Sequence, residues 1–306
     1  MNWFLIALIS PIANAFVNHF DKYLISRFIK GGAVGALILF SSLFAVVLLP
    51  VLWFLEPGII TGISHANALI LLVTGCLLTL AILFYLYALE YEETSIVMPL
   101  AQLVPVFGLV LGYFILGELI SGRELWAAAF IVTGGMIVAL ELNGRQTRFK
   151  YRMMMFMVMA TFLYALSAVI FKYVAVDQGF MSSLFWAMAG KVVLGLIIFF
   201  AIKKYRDQFL NLLRSNRHTI IGLNVINEII GLIAEVALVF AVLLAPVVLV
   251  QAVSGLQPMF VFIFGILLTI FFPAFAKESL VRKHVIQKIA GIVIVTIGVS
   301  LLDLST

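Results

Sequence analysis

From residue 3 onward the chain runs in long apolar stretches separated by short polar breaks, and the breaks divide it into ten runs. These are 3–21, 33–53, 67–89, 95–116, 123–141, 153–174, 182–202, 219–243, 246–271 and 286–302. Each is near the roughly 20 apolar residues a helix needs to cross a bilayer, where a helix satisfies its own backbone hydrogen bonds without water. The pattern predicts ten spanning helices and leaves little sequence for a soluble domain. A mean hydropathy of +1.22, with 64% of residues hydrophobic and 11% charged, agrees, because so few polar groups cannot cover a water-soluble globule of this size. Ala13 and Ala15 in the first run imitate a signal-peptide cleavage site, but no basic segment precedes them, so the run is read as a genuine first helix.

The polar positions inside the runs point to chemistry. In NVINEIIGLIAEVALV, Asn224, Glu228, Gly231 and Glu235 recur at i, i+4, i+7 and i+11, which lines them up on one helical face with Asn227 on its flank. Lys191 stands at the middle of the run before it. An ionisable side chain at the centre of a spanning helix costs about 2.5–3.5 kcal/mol on insertion scales, so these three charges are functional candidates. Neighbouring antiparallel helices put their centres at one depth, and the spacing predicts that Lys191 pairs with one glutamate. The other carboxylate is then left to exchange a proton for a cation.

The first run carries a second stripe, Ser10, Asn14, Asn18 and Asp21, with His19 well off it and Pro11 expected to unsettle the helix. Gln102 beside Pro105, and Gln251, Ser254 and Gln257 beside Pro258, are further candidates for a polar solute. Tyr85, Tyr87 and Trp186 offer an aromatic wall for a cation. Asp21, Lys22 and Lys172, near helix ends, are candidate gate charges.

Charge sets the orientation. With alternating loops, sixteen of the 19 lysines and arginines fall on one side, only Arg123 and Lys172 on the other, and Lys191 within a span. The positive-inside rule puts the basic loops in the cytoplasm and both termini outside a cytoplasmic (inner) membrane. The net charge of +5 is thus a topology signal with membrane lipids as its partner, and it implies no nucleic acid.

The chain also repeats. Shifted by 153 residues, 87–112 lies over 240–265, matching Ala88 to Ala241, Pro105 to Pro258, Phe107 to Phe260 and Gly112 to Gly265. Lys22 and Tyr23 lie over Lys172 and Tyr173 at an offset of 150, and Ala127 and Gly134 over Gly291 and Gly298 at 164. The growing offset places an insertion near FFPAFAKESLV. Five helices per half is odd, so the halves are inverted relative to each other. The expected fold is all-α: ten transmembrane helices as two inverted five-helix repeats, 1–145 and 150–306.

LAQLVPVFGLVLGYFILGE with Pro105, followed by a span containing Gly134 and Gly135, resembles the EamA module of the drug/metabolite transporter superfamily. The second half matches less well, having no counterpart of Gly117 and Glu118 at the same offset. The resemblance implies a secondary transporter with a site between its halves, although transporters of this fold are usually described with both termini in the cytoplasm.

The expected function is secondary active transport of a small polar or cationic metabolite, coupled to protons through Glu228 or Glu235. A flippase for a lipid-linked head group, using Lys22, Lys172 and Lys191, is the alternative. No HExxH, GxSxG or Walker motif is present, so an enzyme is not expected, and the single Cys76 excludes an internal disulfide and multi-cysteine metal sites. No cofactor is implied. Gly108 and Gly112 form a GxxxG that is read as helix packing, with a homodimer left open.

Overall fold

A computed structural model describes residues 2–28, 34–91, 100–139, 151–214, 218–271 and 282–301, and among them every regular element is helical. The elements are α1 (Trp3–Phe28), α2 (Val34–Phe44), a 3₁₀ turn (Ala45–Val47) leading into α3 (Leu48–Leu55), α4 (His65–Tyr91) and α5 (Leu103–Leu111) with a π turn (Gly112–Leu116). They continue with α6 (Gly122–Ala139), α7 (Tyr151–Gln178), α8 (Phe180–Ala201), α9 (Lys203–Arg214), α10 (His218–Leu244), α11 (Val247–Ser254), α12 (Gln257–Phe271) and α13 (Arg282–Leu301).

Seven helical stretches among the described residues are long and apolar enough to cross a membrane: Trp3–Asp21, Val34–Leu55, His65–Ala88, Tyr151–Gln178, Phe180–Ala201, Ile221–Leu244 and Val247–Phe271. The other three runs of the sequence are helical where described. Leu103–Leu116 and Val285–Leu301 are apolar but shorter, and α6 opens on Arg123 and Glu124.

Two runs that the sequence pattern predicts to be continuous are interrupted at matching places. Gln102 is a turn residue ahead of α5, and Gly255 and Leu256 divide α11 from α12. Pro105 and Pro258 supply the reason: each lacks an N–H and sits in the first turn of the restarted helix, the one part of a helix that tolerates it. Pro11 has the opposite outcome to the one expected. α1 runs through it unbroken to Phe28, and Asn14 Nδ2 donates to Ser10 Oγ at 3.3 Å across the same turn. The basic segment after residue 202, expected as loop, contains α9, whose Tyr205 is buried and whose Phe209 packs with Phe40 and Phe199 while Lys203 and Lys204 face outward. Gly35 on α2 admits this helix, since a Cβ there would meet the Tyr205 ring at 2.6 Å, and the Tyr205 and Tyr87 hydroxyls share a hydrogen bond.

Small residues decide which helices approach closely, as expected where lipid removes most of the hydrophobic drive between helices. α6 and α13 form the most extensive pair. A Cβ on Gly134 would lie 2.8 Å from the Gly291 carbonyl oxygen, and one on Gly298 would lie 2.9 Å from that of Ala127. α4 and α8 meet as tightly: a Cβ on Gly75 would run into the Ala187 carbonyl, and one on Gly190 into that of Leu72. Cys76 Sγ donates to the Gly190 carbonyl at 3.4 Å in the same crossing. The remaining large contacts join α1 to α10 and α4 to α7.

Candidate functional site

α1, α2, α4, α5, α7, α8, α10, α11 and α12 surround a cavity of about 330 Å³, at the small end of the range of ligand pockets. The stripes put polar atoms into an otherwise apolar wall. From α1 come Asn14, Asn18 and Asp21, and from α10 come Asn227, Glu228, Gly231 and Glu235. Lys191 reaches in from α8, and the broken helices contribute Gln102 and Gln257 beside their prolines. A Cβ on Gly231 would touch nothing within 4 Å, so the space between the two glutamates is open.

The charges are arranged unequally. Lys191 Nζ donates to Glu235 Oε2 at 2.5 Å, and only 4% of the lysine side chain is exposed against 17% of the glutamate. Asn227 Nδ2 donates to Asp21 Oδ1 at 2.7 Å, joining α10 to α1. Glu228 lies between these pairs, close to Ser41 of α2 and within electrostatic reach of Asp21, Lys191 and Glu235. Among the described residues, three carboxylates therefore share one ammonium in the cavity. Tyr85 stands near Asp21 and Tyr164 near Glu235.

Asn224 is buried one turn from Glu228 but off the cavity wall. His19, off the polar stripe, bonds the Val261 carbonyl at 2.9 Å. Tyr85 lines the cavity whereas Tyr87 and Trp186 do not. Tyr164 and Ser41 were not legible as site residues, because a tyrosine or serine in an apolar run carries no periodic signal of its own.

Lys172 is not in the cavity. It sits near the other end of α7, where its Nζ donates to Glu118 Oε1 at 2.7 Å and to the Ala245 carbonyl at 2.6 Å. Glu118 Oε2 accepts the Val247 N–H at 2.8 Å. One carboxylate thereby ties the end of the α5 segment to α7 and to the α10–α11 junction. Gly117, at φ 66°, turns the chain back to place it, and Gly112 leaves room, since a Cβ there would lie 2.9 Å from Glu118 Oε2. Glu118 as the partner of Lys172 is a further site residue that sequence reasoning missed. The side chain of Lys22 lies outside the described residues.

The two features lie toward opposite ends of the bundle. The cavity takes residues from the middle of the bundle toward the C-terminal ends of α1 and α4 and the N-terminal ends of α7 and α10, whereas the Glu118 cluster gathers the opposite ends of α7 and α10.

Residues 1–140 match the family model of the EamA-like transporters. A crystal structure of another protein superposes with a TM-score of 0.67 over 98% of this chain and 95% of the other, at 14% identity, which shows a shared fold along almost the whole length. A comparison with curated proteins finds no match. With seven helices long and apolar enough to cross a membrane among the described residues, and with residues 1–140 similar to the EamA-like transporter family, the chain has the character of a multi-pass membrane transporter.

Proposed function

We propose that the protein is a proton-coupled secondary transporter of a small polar or cationic metabolite, built from ten spanning helices as two inverted five-helix repeats, 1–145 and 150–306. The observation that carries this reading is a polar cavity set toward one end of the bundle, with the opposite end tied by Glu118, Lys172 and Val247. A cavity toward one end with a charged tie at the other is the arrangement that one state of an alternating-access cycle requires. A cationic substrate is favoured because, among the described residues, three cavity carboxylates meet one lysine. Lys191 engages Glu235, so Glu228 and Asp21 are the carboxylates open to a substrate cation or a proton.

Packing supports the inverted repeat. Gly134 and Ala127 correspond to Gly298 and Gly291 in the sequence repeat, and the contacts observed are Gly134 with Gly291 and Ala127 with Gly298, which a two-fold operation exchanges. The pairs α1·α10 and α4·α7 exchange likewise, each joining the first spanning helix of one half to the third of the other. The flippase reading needs free cations for a phosphate, and both Lys172 and Lys191 are engaged by carboxylates.

The Glu118 cluster acts as the gate on the Lys172 side. Its test uses Ser254→Cys, on the cavity wall, in a Cys76→Ser background, with a membrane-impermeant maleimide applied from either face. The parent is labelled from the basic-loop face. Glu118→Gln removes a charge-assisted hydrogen bond of about 1.5–3 kcal/mol, so labelling from the Lys172 face rises about 10- to 100-fold. Unchanged one-sided labelling would remove Glu118 from the gate.

The basic loops lie in the cytoplasm and both termini outside an inner membrane, as the charge bias predicts. A periplasm-dependent reporter fused at Thr306 is expected to be active and a cytoplasm-dependent one silent; the reverse pattern refutes this orientation.

A further inference from the structure

Gln251 is 1% exposed, and neither its Nε2 nor its Oε1 has a hydrogen-bond partner among the described residues. It nonetheless lines the cavity. A primary amide offers two donors and an acceptor, and leaving such groups buried and unpaired is costly, so buried polar atoms are nearly always partnered. The neighbouring helix is shaped to keep this amide: a Cβ on Gly108 of α5 would collide with Gln251 Oε1, so the glycine that the sequence pattern assigns to helix packing is the seat of the glutamine. The matching position of the first half, 153 residues earlier, is Met98. A fold built on the repeat accepts an apolar side chain there.

We propose that Gln251 is a specificity-determining contact that reads a neutral group presenting a donor and an acceptor side by side, of the carboxamide type, on the transported cation. The carboxylates Asp21 and Glu228 take the positive charge, and Gln251, on a different helix, takes the neutral group. A carboxamide meets the glutamine amide through two complementary hydrogen bonds. A plain alkyl group entering the same place leaves both glutamine atoms unpaired, and sites of this kind reject analogues that lack the hydrogen-bonding group. This assignment rests on the reading of the cavity as a cation site, and the experiment separates the two.

Three probe sets of three to six carbons are titrated against the purified protein by thermal shift: ω-amino carboxamides, alkylamines of matching length, and neutral carboxamides. Wild type is expected to be half-stabilised by the amino carboxamides at about tenfold or more lower concentration than by the alkylamines, the ratio that one net hydrogen bond supplies. In Gln251→Leu, and in Gln251→Met should the leucine variant not fold, that ratio falls to about one. The melting temperature of either variant without probe equals or exceeds that of wild type, because an unpartnered amide has been removed.

Equal ratios in wild type and variants, or no preference in wild type, overturn the assignment; a ligand-free melting temperature lowered in both variants does so as well, since the amide is then satisfied structurally or by water. If neutral carboxamides bind through Gln251 and a positive charge adds nothing, the cation reading fails and Gln251 stands. If alkylamines bind and the carboxamide adds nothing, the cation reading stands and Gln251 fails. If no probe set binds, both fail.

Discussion

Lys191→Met is expected to destabilise the protein by about 3–5 kcal/mol, and Lys191→Met/Glu235→Gln to recover most of that loss. The lysine ammonium is almost wholly enclosed and touches Glu235 at 2.5 Å, in a helix whose neighbouring turns carry only apolar residues. Removing one partner strands the other charge in a low-dielectric wall, and its desolvation is then uncompensated. Removing both leaves a neutral amide beside a thioether, an exchange that is near neutral in comparable buried pairs. The measurement is a double-mutant cycle on unfolding in detergent, in which the coupling term isolates the pair. Should Lys191→Met cost less than about 1 kcal/mol, the pair behaves as a solvent-screened surface bridge, and its place as a fixed part of the cavity wall is lost.

The same pair shows what was legible in the sequence. Three charges in two successive apolar runs force a meeting, because consecutive antiparallel spans put their centres at one depth. Helical periodicity put Ser10, Asn14, Asn18 and Asp21 on one face of α1 and Asn224, Glu228, Gly231 and Glu235 on one face of α10 with Asn227 on its flank; all but Ser10 and Asn224 line the cavity. Which glutamate takes the lysine was open, since both lie within one turn of the correct height and only rotation about the helix axis separates them. Glu118 was hidden for a different reason: its partners, Lys172 and the Val247 N–H, are 54 and 129 residues away, and no periodicity connects a turn to a helix end.

Glycines were legible as small residues but not as to their neighbours. Gly108 and Gly112 fit a packing motif equally well, yet one faces Gln251 and the other Glu118. The helix breaks at Gln102 and at Gly255 were concealed by hydropathy, which stays high across both. Pro105 and Pro258 were visible, but a proline signals a kink, a restart or, as at Pro11, neither. Surrounding helices decide among these outcomes.

Glu228→Gln is expected to abolish accumulation driven by a proton gradient while leaving exchange of substrate across the membrane. The argument comes from a packing asymmetry. α4 and α8 are in close contact through Gly75 and Gly190, whereas α2 and α10, the pair that the inverted repeat makes equivalent, touch only marginally among the described residues. At the open crossing the residue matching Gly75 is Glu228, and the residue 150 before Lys191 is Ser41, which lies close to Glu228. If the two crossings trade places during transport, α10 must close on α2 with Glu228 between them. A charged carboxylate resists that desolvation by several kcal/mol, while one that is protonated or paired with a substrate cation does not. Closure is thereby tied to occupancy of Glu228, which is the thermodynamic content of coupling. Glutamine closes whether or not a proton is present, so in proteoliposomes the amine probe that best stabilises the protein equilibrates instead of accumulating, and proton flux no longer accompanies it. Accumulation by Glu228→Gln at the wild-type ratio from about pH 5 to 8, well above the usual carboxylate range at its upper end, would assign coupling to another group, with Asp21 the next carboxylate in reach.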